Sequence, residues 1–184
     1  MITIKYFENG RVLHLYDAVN PSAISSISKD LISVLESDEK QSWTICNYER
    51  PPIKLVINSY GGSVDDMFGL IDVILTSKTP IYTYCTGYAM SAGAMIFLAG
   101  HKRYCYQHTT FMLHSISTFE CGKYQQFMDG AARTKELQRQ LNDYILERTS
   151  ISKDVLLTAQ RESRDIFYPA QEAKKYGIVN KIIT

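Results

Sequence analysis

The chain has 184 residues, 45% of them hydrophobic, which suits one domain with a real core over residues 1–184 and leaves too little for two. Its 20 basic and 19 acidic residues give a net charge of +1, so there is no overall electrostatic case for nucleic acid or an anionic membrane as partner. Cys46, Cys85, Cys105 and Cys121 lack C-x-x-C spacing, and His14, His101, His108 and His114 lack paired zinc-ligand spacing. The cysteines are therefore expected to be reduced, buried thiols, with no metal and no other cofactor.

The first residues, MITIKYFENGR, lack the apolar run of a signal peptide, which by default implies a cytoplasmic location. Residues 11–15 (RVLHL) predict a first strand. Asn20-Pro21-Ser22 then opens a helix to about Leu35, with Ile24, Ile27, Leu31 and Leu35 on one face. The polar residues 36–50 predict a surface loop, partly anchored by Trp43 and Ile45 and closed by Pro51-Pro52. Residues 53–58 read as a strand, and a turn follows in which Gly61 and Gly62 let backbone N–H groups face a ligand. A helix from Val64 to about Ser77 comes next.

Pro80 introduces a strand over residues 81–85, and GYAMSAGAMIFLAG (87–100) carries Ser91 across a turn into a helix over 92–99. Gly100 is expected in the left-handed position after the last turn. At a helix start, unpaired N–H groups and the helix dipole favour an alkoxide or an oxyanion. Taken alone, Ser91 reads as an N-cap, and Ala89 breaks the G-x-S-x-G pattern. Residues 79–100 carry no charge, but Pro80, Gly87, Ser91 and Gly93 split them into strand, turn and helix, so a membrane span is not expected. The two glycine-bearing junctions place two helix N-termini at one end of a sheet, where α/β folds hold ligands.

Residues 109–115 predict a strand ending on His114. Residues 123–148 have no proline and predict one helix of about 39 Å. Such a helix overshoots a small domain, so part of it is expected to protrude and pack on another copy of the chain, with Phe127 and Leu141 needing cover. Asp165 follows Arg164 and is expected just before a helix, where judged alone it reads as a surface or capping carboxylate. Pro169 opens a short helix to Tyr176, Gly177 caps it, and IVNKII closes the chain as a strand.

Together, INSYGGSVDDMFGLID, TGYAMSAGAMIFLAGHKRY, FMLH and SRDIFYPAQEAKKYGIV resemble the proteolytic subunit of the ATP-dependent Clp protease, over a stretch from about Arg11 to Ile183. The resemblance implies an α/β fold, a ClpP- and crotonase-like spiral of β-β-α units with a protruding handle helix at about 123–148. It implies a serine endopeptidase with Ser91 as nucleophile, His114 as general base and Asp165 as the carboxylate that orients the imidazole. Backbone N–H groups of Gly62 and Ala92 would form the oxyanion hole. That chemistry is self-consistent, since serine needs a base to take its proton and the imidazolium needs a carboxylate partner.

The resemblance also implies stacked seven-membered rings, peptide or unfolded-protein substrates, and an AAA+ unfoldase partner. Departures concentrate on that partner. Lys54 and Val56 replace two aromatics of the unfoldase groove, Tyr104 keeps one, and ten residues precede the first matched strand. Docking of a standard unfoldase is therefore expected to be weakened. Tyr60 replaces the proline usual before the Gly-Gly pair, the stretch from Ser91 to His114 is about two residues short near His101, and no proline follows His114. Two other readings share parts of this pattern: a non-catalytic ring subunit or scaffold, and a crotonase-type acyl-CoA enzyme, which would not need the triad.

Overall fold

The computed structural model describes residues 10–119 and 121–184, so residues 1–9, which hold most of the segment before the first strand, lie outside the described residues. The core sheet begins with β1 (Val12–Leu15), β2 (Ile53–Ser59) and β3 (Ile81–Met90), paired in parallel. In β2, Ile53, Leu55, Val56, Ile57 and Ser59 are all buried, as expected of a parallel strand covered on both faces. The parallel path continues through β4 (Lys102–Tyr106) to β7 (Lys181–Ile183).

On the side away from β2, strand β3 serves two neighbours. Its first half pairs with β4, and Tyr88, Ala89 and Met90 pair in parallel with β5 (Thr110–Leu113). β6 (Ile166–Pro169) then lies antiparallel to β5. Between these halves the register with β2 jumps from Ile57↔Cys85 to Ser59↔Ala89, a bulge that contains Gly87 at φ 79°. Bulges re-aim the strand that carries them. Here the strand runs on to Ser91.

The helices are α1 (Pro21–Thr44), α2 (Val64–Leu75), α3 (Ala92–Ala99), α4 (Tyr124–Arg148), α5 (Lys153–Arg161) and α6 (Ala170–Lys175). All eight residues of α3 are buried, which accounts for its apolar character on every side. The helical part of the charge-free stretch is thus core, and among the described residues no helix is long and apolar enough to cross a membrane.

Helix α4 has 25 residues, about 37 Å. Its C-terminal part docks on α3: Leu141, Tyr144 and Ile145 are buried, the Tyr144 hydroxyl donates to Met95 O (3.1 Å), and Arg148 donates to the carbonyls of Leu98 and Gly100 (3.1 Å each). Gln138 is the first buried residue along the helix, so the N-terminal half stands off the body. Leu141 is therefore covered by its own chain and needs no second copy, while Phe127 and Met128 remain exposed.

Other sequence expectations are corrected. Helix α1 runs nine residues past Leu35 to Thr44, and no loop begins at Glu36. The reason is Asp38, fully buried on the inner face, which receives hydrogen bonds from Arg11, Tyr48 (2.8 Å) and Thr79 (2.7 Å). Burial alone would raise its pKa, but the bonds from Arg11, Thr79 and Tyr48 outweigh it and hold the carboxyl below its usual value. Trp43 and Ile45 are exposed and anchor nothing. Gly100 has φ −54°, not a left-handed value; glycine is needed because a Cβ would lie 2.3 Å from Thr83 Oγ1. Cys85 and Cys105 are buried free thiols, pushed up in pKa by burial, but Cys46 and Cys121 are exposed.

Candidate active site

The β3–α3 junction puts Ser91 at φ 51° and ψ −127°, a conformation that costs a non-glycine residue about 1–3 kcal/mol. The surroundings hold it there. Its N–H donates to Met112 O (2.9 Å), extending the β3–β5 pairing by one step, and its carbonyl accepts from Ala94 N–H (3.0 Å) and Met95 N–H (3.2 Å). Ser91 occupies the N-cap position but its side chain makes no capping bond. The hydroxyl instead lies 2.7 Å from His114 Nε2, and it is the donor when the imidazole carries its proton on Nδ1.

His114 follows β5 directly, one residue past the strand end, and its side chain is 27% exposed. Asp165 precedes a strand, not a helix, so the capping role expected for it does not arise. The antiparallel register pairs Leu113 with Ile166, and one further step sets Asp165 across from His114. Asp165 Oδ1 lies 3.8 Å from His114 Nδ1, an ion-pair separation beyond hydrogen-bond range. Its side chain is half exposed in a polar recess of about 400 Å³ shared with Gln160, Ser163 and Arg164.

The Gly-Gly turn closes the other side. Gly61 and Gly62 have φ of 101° and 149°, and a Cβ on Gly61 would lie 2.7 Å from Ser91 Cβ and 2.9 Å from Ala92 N. Only glycine lets the loop touch the serine junction this closely. Val19 bridges Gly62 through bonds that straddle it, Val19 N–H to Gly61 O and Ser63 N–H to Val19 O. Among the described residues, the N–H groups of Gly62 and Ala92 have no protein acceptor. Both residues line a cleft of about 270 Å³ with Ser91 and His114, whose remaining wall is mostly apolar, with Val64, Met67, Met95, Met112, Ile116 and Leu141 beside Tyr60 and the polar Ser115 and Ser117. The five site residues expected from the sequence thus meet at two adjoining recesses. Among the described residues, no three His, Cys, Asp or Glu side chains converge as metal ligands would.

One residue of this site was not anticipated. Gln138 of α4 accepts a hydrogen bond from Ile116 N–H (2.7 Å) and donates to Asn142 Oδ1 (2.9 Å), tying the segment after His114 to the helix. Asn142 in turn donates to Gln160 of α5 (3.3 Å). The available signal was a glutamine on the same helical face as Leu141 and Ile145, where an apolar residue would ordinarily sit.

The family model for Clp protease matches residues 3–184, and the chain belongs to that family. Proteolytic subunit 1 of the ATP-dependent Clp protease from Shouchella clausii (strain KSM-K16) is 29% identical over 175 residues, covering 94% of this chain and 84% of that protein. A solved structure of a ClpP1 mutant from Listeria monocytogenes matches with a TM-score of 0.79 at 27% identity, covering 95% of this chain and 91% of that one. The fold is therefore that of ClpP, and these relatives support a Clp-type peptidase.

Proposed function

We propose that the chain is a serine endopeptidase that hydrolyses peptide bonds through an acyl-enzyme. The observation that carries this reading is the 2.7 Å contact between Ser91 Oγ and His114 Nε2, made by a serine in a strained conformation with no other use for its hydroxyl. In the first step Ser91 Oγ attacks the scissile carbonyl while His114 takes the hydroxyl proton. The N–H groups of Gly62 and Ala92 receive the charge that develops on the carbonyl oxygen. His114 then returns the proton to the departing amine. Water enters, His114 takes a proton from it, and the Ser91 ester is hydrolysed to free acid and serine.

Asp165 is assigned the role of orienting the imidazole and stabilising its charged form. At 3.8 Å the contact is open, and such contacts tighten when the site fills. The stand-off half of α4, with Tyr124, Phe127 and Met128 exposed, supports assembly into a homo-oligomer through the handle, read here as stacked seven-membered rings. Substrates on this reading are peptides and unfolded proteins in the cytoplasm, delivered by an AAA+ unfoldase whose docking is altered. Lys54 sits over the Tyr84 ring at 4.3 Å, and Tyr84 stacks on Tyr104 at 4.7 Å, so a cation occupies part of that surface. Val56 is buried, which leaves Lys54 as the departure that matters there. A non-catalytic ring subunit has no use for the Ser91–His114 bond, and neither has a crotonase-type enzyme.

The test is hydrolysis of short unstructured peptides by the purified chain and by Ser91→Ala. Cleavage by the wild type that vanishes in Ser91→Ala, with the assembly unchanged by light scattering, is expected. Equal cleavage by both would refute the assignment.

A further inference from the structure

The loop that presents Gly61 and Gly62 also carries Tyr60, which lines the same cleft as Ser91 and His114 yet is 67% exposed. An exposed tyrosine at a cleft mouth ordinarily spreads over several rotamers. This one rests on a support: its ring lies on that of Tyr88, with centroids 4.1 Å apart and planes 32° from parallel. Tyr88 is fixed in turn by its pairing with Thr110 and by donating its N–H to Asn58 Oδ1 (3.4 Å). The two rings thus come from the two segments that form the site, the turn after β2 and the bulged part of β3.

Beside Ser115 and Ser117, the cleft lining offers two kinds of apolar surface. On one side of Gly62 in the chain, Val64 leads to Met67 and Met95, a pliable wall that suits irregular aliphatic shapes. On the other side stands Tyr60, rigid and flat. A peptide lying extended past Gly62 sends successive side chains to opposite sides, so residues flanking the scissile bond do not compete for one region. The exposed Tyr60 face is covered only when a side chain lies on it.

We propose that Tyr60, backed by Tyr88, is a specificity-determining subsite that selects a flat aromatic side chain on one flank of the scissile bond, opposite the methionine-lined wall. This deepens the peptidase reading and rests on it. An aromatic pair adds a factor of about two to twelve beyond its buried area, so a Phe residue there should be preferred to Ala by about tenfold.

The experiment uses peptide pairs that differ only by Phe or Ala at each position flanking the cleavage site. For the wild type, Phe at one flank raises kcat/KM about tenfold, chiefly by lowering KM. Tyr60→Phe keeps that ratio, whereas Tyr60→Ala and Tyr60→Leu bring it towards one; Leu controls for bulk without a ring face. The same pairs are titrated against Ser91→Ala with and without Tyr60→Ala, which reads the subsite as affinity when nothing is cleaved. A Phe-to-Ala ratio that Tyr60→Ala and Tyr60→Leu leave unchanged in both assays overturns the subsite. A ratio that responds in binding while the wild type cleaves no peptide upholds the subsite and overturns the peptidase reading alone.

Discussion

His114 Nδ1 lies 3.8 Å from Asp165 Oδ1, while Nε2 of the same ring is within 2.7 Å of the Ser91 hydroxyl. The imidazole is bonded on its Ser91 side and only faced by charge on the other. If the carboxylate closes on the ring during turnover, Asp165→Asn lowers kcat by about 10⁴, and the double variant with His114→Ala is little worse than His114→Ala alone, because triad members act as a unit. Peptide kinetics on the three variants decide this. Losses that multiply independently would place Asp165 outside the machinery.

Assembly through α4 would use the half of the helix that stands off the body. Phe127 and Met128 are exposed on the half that stands off the body, whereas Leu141 is buried against its own chain. Phe127→Glu with Met128→Glu should reduce the assembled mass while the melting temperature of the subunit stays close to wild type. Leu141→Glu should unfold the subunit instead, by burying an unpaired charge. Sedimentation and thermal melts separate the two, and unchanged mass in the double variant would exclude this face.

Much of this was legible in the sequence, and the failures share a cause. The strand-turn-helix junctions at Gly61-Gly62 and Ser91 could be read because their signals are local: small residues at the turn, then an apolar run. Helix α1 was cut short because residues 36–50 look like a solvated loop until Arg11, Tyr48 and Thr79 are known to satisfy Asp38 from 10 to 41 residues away. The helix opened by Pro169 is legible, but the strand between it and Asp165 is not, because β6 is defined by its pairing with β5. Gln138 escaped notice for the same reason: its partner Ile116 is distant in sequence. In each case a long-range hydrogen bond decided what local pattern could not.

The Arg11–Asp38 pair yields a pH prediction. The folded carboxyl titrates below its ordinary value of 3.8, so its contribution to stability is fully present above that value and is lost as pH falls through the lower folded pKa. Asp38→Asn should cost about 3–5 kcal/mol at neutral pH, since it removes the buried carboxylate that faces the Arg11 guanidinium. Urea unfolding at neutral pH and at progressively lower pH should show the gap between variant and wild type narrowing below 3.8. A gap that stays constant would remove the pair from the stability account.

Gln138 links α4 to the segment that follows His114. Gln138→Leu leaves Ile116 N–H without an acceptor, a loss of about 1–3 kcal/mol at that contact. Faster hydrogen exchange at the Ile116 amide and a raised KM are expected, and Gln138→Glu, which keeps an oxygen at the position, should recover part of both. Unaltered exchange at Ile116 would show that the helix does not hold this segment.

If Ser91 is a nucleophile activated by His114, it reacts with a fluorophosphonate, and peptide mapping locates the adduct. A single modified residue, Ser91, is expected, at a rate that falls sharply in His114→Ala and with no adduct in Ser91→Ala. Modification at another serine, or labelling undiminished in Ser91→Ala, would contradict it.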